Sequence, residues 1–307
     1  MSEHPTILEQ FRSFCFRNNA ADFEGAVDYF AVFGGMGWNV DQSKPVETVI
    51  EEKILDNYKY IHGEITAITK SNPVYHRLLA ALATGDRREH SAFRNTKIER
   101  TDGENAIDFL VECEILKVEK SLAPHEFKGD HFEDIAEKLL FINPFMRFWF
   151  SSISPYYKNI KGGDYSEFKE RWNNTKHGFS NLIIERLLME ALKFRFIDDP
   201  LEQIGSYWNS SVEIDLFAKT KSGRQIAGVC KYSKSKAGKN DLKNLQDKCT
   251  KAGLNIDEFI VFSKNKFSNE LKKQRSEKIE LLSMRNLKFI MENLSQADLI
   301  TSTFKKY

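Results

Sequence analysis

The segment from Trp208 to Tyr232 constrains the fold most, because it places two strand patterns on either side of a short turn. The first pattern alternates three aliphatic residues with two acids and an aromatic: Val212, Ile214 and Leu216 against Glu213, Asp215 and Phe217. A period of two puts the aliphatic residues on one face and both acids on the other. The second pattern is mostly apolar and ends on Lys231. We therefore expect a hairpin that brings a carboxylate and a lysine together.

A carboxylate on one strand and a lysine on its neighbour form the skeleton of a metal-dependent phosphodiesterase site. Carboxylate oxygens such as those of Asp215 are the ligands that Mg²⁺ prefers, and the ion sits beside the scissile phosphate. An ammonium group such as that of Lys231 orients the attacking water or stabilises negative charge in the transition state. The hairpin therefore indicates a nuclease-like site.

Five short segments carry a resemblance to a known family: NPFMRFWF (143–150), the helix around Ile184 and Glu185, IGSYW (204–208), EIDLFA (213–218) and GVCKY (228–232). In these segments the chain resembles domain-of-unknown-function family 234, found at the C-terminus of many archaeal and bacterial ATPases and related to PD-(D/E)XK nucleases. The resemblance implies an α/β domain with a mixed sheet. It also implies catalytic roles for Asp215, Lys231, Glu185 and Glu213, with Asp215 and Glu185 as Mg²⁺ ligands.

One position departs from the family pattern, which reads Gly-Glu-Cys-Lys-aromatic on the last strand of the hairpin. This chain has Val229 in place of that glutamate. A valine offers no oxygen ligand, so Mg²⁺ would depend on Asp215, Glu185, backbone carbonyls and water, with Glu213 available only if the strand bends. We therefore expect the nuclease-like domain to cleave DNA weakly or not at all.

The rest of the chain divides into four predicted regions. Helical periodicity covers residues 1–71, and residues 72–122 show three helices and a strand in the proportions of a winged helix. Residues 123–175 form a connecting helical region with a dense aromatic cluster, which we interpret as core. A helix, a three-stranded meander, a crossover helix and a further strand follow in residues 176–307, the order of a nuclease-like α/β core. The fold class is therefore α/β (α+β).

The winged-helix segment also resembles the family, but no ATPase accompanies it. A GxxxxGK[ST] motif is absent from the sequence, so ATP binding is not expected. The third helix of the segment is acidic and would repel phosphate, whereas Arg87, Arg88 and Arg94 lie just ahead of it. Two interpretations stay open for these arginines: contacts to backbone phosphates, or a solvated face.

A basic segment adjoins the predicted site, although the whole chain has a formal net charge of only +1. Between residues 216 and 275 there are fifteen Lys or Arg against five Asp or Glu, a surplus of ten positive charges. Such a surplus favours phosphate backbones. We therefore predict DNA as the partner, with Lys234, Lys236, Lys239 and Lys243 among the contacts.

The chain begins without a cationic and apolar leader, contains no apolar run of membrane-spanning length, and has four scattered cysteines. These features predict a cytoplasmic protein without structural zinc and without membrane attachment. The preferred hypothesis is a DNA-binding protein with a degenerate nuclease-like domain. The alternatives are an active Mg²⁺-dependent deoxyribonuclease using Asp215, Lys231 and Glu185, and a module that binds a protein partner or a second copy of the chain.

Overall fold

The computed structural model describes residues 4–124, 127–128, 131–132, 135–233 and 235–301. Its first part is helical, as the periodicity predicts: α1 (Ile7–Arg17), α2 (Phe23–Phe33), α3 (Val46–Ile50), a π-helical turn (Glu51–Leu55) and α4 (Tyr58–Ile68). Thr6 and Glu9 form a capping box at the start of α1, which satisfies backbone N–H groups that the first turn leaves unpaired. The helical pattern of residues 46–69 is thus divided into α3 and α4 by the π-helical turn.

Three further helices lead to the first small sheet: α5 (Pro73–Thr84), α6 (Glu89–Thr96) and α7 (Arg100–Glu112). The predicted wing strand is β1 (Leu116–Glu119), and it pairs antiparallel with β4 (Lys138–Phe141). Between them, β2 (Phe127–Lys128) and β3 (His131–Phe132) form a separate two-stranded pair. The helix–helix–helix–strand order matches the prediction, while its identity as a winged helix stays a prediction.

The aromatic cluster of the connecting region is core, as predicted. It spans α8 (Pro144–Phe148) and a π-helical turn (Trp149–Ile153), in which Phe145, Phe148, Trp149 and Phe150 are at most 1% exposed. A short 3₁₀ turn (Ser154–Tyr156) and α9 (Tyr157–Lys161) follow, and there Tyr157 is 45% exposed. Burying an aromatic side chain contributes about 2–3 kcal/mol, so this cluster is a major source of stability.

The five-stranded sheet has the order β5-β6-β7-β8-β9, with β5 (Leu201–Trp208), β6 (Glu213–Thr220), β7 (Gln225–Lys231), β8 (Glu258–Ser263) and β9 (Ile279–Ser283). The first three strands form an antiparallel meander. The last three run parallel, because the crossover helix α11 (Lys239–Lys251) returns the chain to the same end of the sheet. The predicted α/β fold with a mixed sheet is confirmed, but the fifth strand was not predicted.

Two helices cover opposite faces of this sheet. Helix α10 (Ser166–Arg195) is 30 residues long and crosses the predicted boundary at residue 175; it packs in the main core with Leu216, Ala218 and Ile260. Helix α11 packs on the other face, against Phe217 and Ala227. Short elements complete the chain: α12 (Asn269–Lys272), a 3₁₀ helix (Met284–Met291) and a 3₁₀ turn (Gln296–Asp298).

The predicted strict alternation of β6 is wrong. Ile214 and Phe217 lie in the same hydrophobic cluster, although residues three apart in a regular strand point to opposite faces. The cause is a shift in register: Gly205 pairs with Phe217, but Tyr207 pairs with Ile214, so two steps along β5 correspond to three along β6. A bulge of this kind bends a strand and re-aims its side chains. Asp215 lies in the irregular part.

Candidate functional site

Asp215 lies where the register of β6 changes, and it lines a cleft between the sheet and α11. The cleft has a volume of about 390 Å³, and Val229, Asp241, Asp247 and Lys248 also line it. One carboxylate oxygen of Asp215 accepts a hydrogen bond from the backbone N–H of Cys230 at 3.4 Å. Burial raises the pKa of Asp215, and this hydrogen bond and the Lys248 ammonium oppose the effect.

Glu185 extends from α10, on the opposite side of the sheet from the cleft. It is partly buried and accepts a hydrogen bond from the Asn181 side-chain amide. Burial and, to a smaller extent, the nearby Asp215 carboxylate raise the pKa of Glu185 to about 7, against the opposing effects of Arg87, the Asn181 hydrogen bond and Arg147. The two predicted metal ligands are therefore close enough to interact, but only Asp215 lines the cleft.

Lys231 is held in an ion pair at the end of β7. Its ammonium group donates to both carboxylate oxygens of Asp241, at 3.0 and 2.9 Å. Asp241 also accepts a hydrogen bond from the backbone N–H of Gly238 at 2.7 Å, in a capping arrangement at the start of α11. The predicted catalytic lysine is therefore paired with a carboxylate that also caps the N-terminus of α11.

Glu213 lies at the start of β6 and contacts the N-terminal half of the chain. Its carboxylate pairs with Lys138 at 2.6 Å and with Arg88 at 3.3 Å. Burial acts to raise the pKa of Glu213, but the hydrogen bond from Lys138 and its positive charge outweigh that effect and lower it. Lys138 is only 2% exposed and also lies over the ring of Trp208, 4.4 Å from its centroid. Glu213 is therefore the ion-pair partner of the buried Lys138 ammonium group.

The predicted contacts to DNA divide into two groups. Arg87 pairs with Glu119 at 3.2 Å and Arg88 with Glu213, whereas Arg94 is exposed in the last turn of α6. Lys234 lies outside the described residues. Lys236 and Lys243 are exposed, and Lys239 pairs with Glu270 across α11 and α12 at 3.2 Å.

A basic face surrounds α11 and α12. We define it by six exposed lysines that form no ion pair with any described residue: Lys236, Lys243, Lys248, Lys266, Lys272 and Lys273. The bridge between Ala237 and Phe267 and the Lys239–Glu270 pair hold its segments side by side. Lys248 also lines the cleft beside Asp215. The face therefore combines a high local positive charge with an adjacent groove.

The residues present do not fit a magnesium centre. Within the described parts of the chain, no group of three or more His, Cys, Asp or Glu side chains is placed to hold a metal ion. Val229 occupies the cleft where a carboxylate would be needed, and Asp241 is paired with Lys231. Glu185 does not line the cleft. Asp215 and Asp247 are the other carboxylates that line the cleft, and among the described residues they belong to no group of three or more candidate metal ligands.

Sequence reasoning missed the residues that determine the electrostatics around the site. Asp241 pairs with Lys231, Lys138 pairs with Glu213, and the positive charge of Arg147 acts on Glu185. Arg186 lies near Glu119 and Arg87. Arg147 belongs to the NPFMRFWF segment and Arg186 directly follows Glu185, so both lay within stretches that the family resemblance had already marked. Nothing in the sequence indicated the pairing of Lys138 with Glu213, because a single lysine in an apolar stretch does not show which residue it will contact.

Comparison with known proteins confirms the family resemblance over part of the chain. Residues 149–244 match the model of DUF234, described as "Archaea bacterial proteins of unknown function". The matched segment contains Glu185, Asp215, Val229, Lys231 and the first turn of α11. No curated protein and no solved structure gives a significant match. Among the described residues, no helix has the length and apolar character needed to cross a membrane.

Proposed function

We propose that this chain, with its DUF234 segment at residues 149–244, binds nucleic acid through the basic face and does not cleave it by a magnesium-dependent mechanism. The observation that carries the proposal is the set of six unpaired lysines around α11 and α12, beside the cleft of Asp215. An ammonium group that is free of carboxylate partners can neutralise a phosphate and release its counterions, which is the main source of nonspecific affinity.

The geometry of the face favours backbone contacts over base readout. Lysines supply point charges without the planar fork that reads a guanine edge. Lys243 and Lys248 lie on the exposed side of α11, while Leu242, Leu245 and Cys249 anchor the other side of the helix in the core. The charges are therefore presented on a rigid element, and we expect binding with little sequence preference and a steep dependence on salt.

The side chains around Asp215 support the proposal that cleavage is lost. A phosphodiesterase site of this type needs carboxylates that converge on one ion and a lysine free to reach the attacking water. In this chain Lys231 is paired with Asp241 at 2.9 Å, and Val229 contributes no ligand. Asp215 thus serves better as part of the wall of a binding cleft than as half of a metal site.

The binding proposal is tested on the full chain by fluorescence anisotropy, with labelled duplex and single-stranded DNA over a series of KCl concentrations. The double variant Lys243→Glu/Lys248→Glu should weaken binding at least about tenfold and lower the salt dependence by roughly two phosphate contacts. Lys53→Glu/Lys59→Glu is the matched control, because it changes the same charge on exposed positions of the N-terminal helices. Equal effects of both double variants, or no binding at low salt, would overturn the proposal and favour the protein-partner module.

The cleavage proposal is tested separately with supercoiled plasmid and Mg²⁺ or Mn²⁺. We expect no nicking above that of the Asp215→Ala variant. Robust nicking by the wild-type protein, lost in both Asp215→Ala and Lys231→Ala, would instead establish the deoxyribonuclease alternative.

A further inference from the structure

A second site lies between α8 and α10, away from the basic face. Three arginines, Arg87, Arg147 and Arg186, line one small pocket there. The rest of its wall is apolar and comes from α2, β4, α8 and α10, with Phe141, Pro144 and Phe179 among the contributors. Three partly buried guanidinium groups around one largely apolar pocket require an explanation, because the three positive charges repel one another and removing a cation from water without a counter-charge is costly.

The carboxylates near the pocket leave two of these cations unpaired. Arg87 pairs with Glu119 at 3.2 Å. In contrast, no hydrogen bond or ion pair to another described residue involves Arg147 or Arg186. Glu185 acts on Arg147, and Glu119 and Glu190 act on Arg186, only at a distance. Glu119 is itself paired with Arg87 at 3.2 Å and Glu190 with Lys193 at 2.9 Å. Both guanidinium groups thus keep their donors available.

The arginines are held in place by their surroundings. Arg147 lies over the ring of Phe179, with the guanidinium carbon 4.9 Å from the centroid, and Arg186 extends from the middle of the long helix α10. Arg87 adopts a left-handed backbone conformation with φ of 68°, and its carbonyl accepts a hydrogen bond from the Leu139 N–H at 2.8 Å. These contacts fix the backbone of Arg87 and the guanidinium group of Arg147 beside the pocket.

We propose that Arg87, Arg147 and Arg186 form a binding site for a phosphate group. Guanidinium groups donate pairs of parallel hydrogen bonds to oxyanions, and phosphate offers both the charge and the oxygens to engage several of them at once. The pocket has a volume of about 10 Å³, roughly the room of one water molecule. It can therefore receive one oxygen of a phosphate group, which would accept hydrogen bonds from the guanidinium groups that line the pocket, but it has no room for a sugar or a base.

The site does not depend on the nucleic-acid proposal, because none of its residues belongs to the basic face. The phosphate can come from the end of a nucleic-acid strand or from a small phosphorylated molecule. Inorganic phosphate tests the shared chemistry, and oligonucleotides that carry either a 5′-phosphate or a 5′-hydroxyl distinguish the two sources. If the protein binds phosphate in this pocket but does not bind DNA, this inference holds and the proposed function is wrong.

The test measures thermal unfolding of the full chain in a phosphate-free buffer, with inorganic phosphate added at constant ionic strength. Phosphate should raise the melting temperature of the wild-type protein, because a ligand that binds only the folded state stabilises it. Arg147→Met and Arg186→Met should each weaken the apparent affinity at least about tenfold, since each removes charged hydrogen bonds. Arg195→Met is the matched control on the same helix, where the side chain pairs with Glu280 outside the pocket.

A purely structural role for these arginines predicts the opposite pattern. It would make the Met variants less stable without phosphate, whereas the proposal expects no loss of stability, because each variant removes a partly buried cation that repels the other two. Modification of wild-type arginines by phenylglyoxal, followed by peptide mapping, needs no variant: phosphate should protect Arg147 and Arg186 but not Arg195. An unchanged melting temperature with phosphate, or the same response and protection at Arg195, would overturn the proposal.

Discussion

Replacing Glu185 by glutamine should change the way stability depends on pH. Burial and the neighbouring Asp215 raise the pKa of Glu185 from its ordinary value of 4.5 to about 7. Between these two pH values the unfolded chain has lost the proton of this carboxyl group while the folded chain retains it. The folded state binds more protons there, so the contribution of Glu185 to stability falls as the pH rises.

The size of the effect follows from the same two values. Each pH unit corresponds to about 1.4 kcal/mol, so the wild-type protein should lose about 3 kcal/mol between pH 4.5 and 7, with no further loss from this group at higher pH. The glutamine side chain of the variant has no proton to release. The free energy of unfolding of Glu185→Gln should therefore lie within about 1 kcal/mol of the wild-type value at pH 4.5. At about pH 7.5 it should exceed the wild-type value by about 3 kcal/mol.

The measurement is guanidinium unfolding of both proteins at several pH values from about 4.5 to about 7.5, followed by tryptophan fluorescence. Glu170→Gln is the matched control, because it makes the same substitution at an exposed position of α10, and it should stay within about 0.5 kcal/mol of the wild type at every pH. A difference between Glu185→Gln and wild type that does not change with pH, or that shrinks as the pH rises, would refute the assignment of Glu185 as a buried carboxyl group.

Two further predictions concern packing and ion pairs. Gly228→Ala should lower the free energy of unfolding by about 1–2 kcal/mol, because its Cβ would lie 3.1 Å from a methyl carbon of the buried Leu216. Gly178→Ala should instead raise it by up to about 1 kcal/mol, because nothing lies within 4 Å of the new Cβ in the middle of α10. Destabilisation of both variants in chemical unfolding would contradict this contrast. Glu213→Ala should lower the free energy of unfolding by about 2–3 kcal/mol, because it leaves the buried Lys138 ammonium unpaired. Lys138→Met should lower it less, because Glu213 is 49% exposed and retains Arg88. A larger loss for Lys138→Met than for Glu213→Ala would contradict this prediction.

The fold of the C-terminal half could be predicted because its signals are local. The alternation in β6, the Lys221–Gly223 turn and the helical pattern of α11 each lie within a short stretch of sequence, and they specify a meander followed by a crossover helix. The register shift between β5 and β6 could not be predicted, because it depends on which residues of two strands pair. Its consequence is that Asp215 departs from simple alternation and comes to line the cleft.

The candidate site was predicted less completely, because its charges are paired over long sequence distances. Arg88 and Glu213 are 125 residues apart and Lys138 and Glu213 are 75 apart, and no periodicity connects such positions. The carboxylates and the lysine of the hairpin could be identified from the sequence, but not the pairing of Asp241 with Lys231. The same reason explains why the arginine pocket could not be predicted: its three arginines come from three separate segments, and nothing in the sequence indicates that they lie together.

Restoring a carboxylate at position 229 tests the reasoning about the cleft most directly. Val229→Glu would add a further carboxylate to the cleft of Asp215, on the strand β7 that also carries Lys231. Without metal, two neighbouring acids in a partly buried cleft repel each other, so the variant should be less stable than Val229→Gln, the neutral control of the same shape. Mg²⁺ should then raise the melting temperature of Val229→Glu but not that of Val229→Gln or the wild type. If Mg²⁺ stabilises the wild-type protein equally, the existing residues do form a metal site, and the argument from Val229 is refuted.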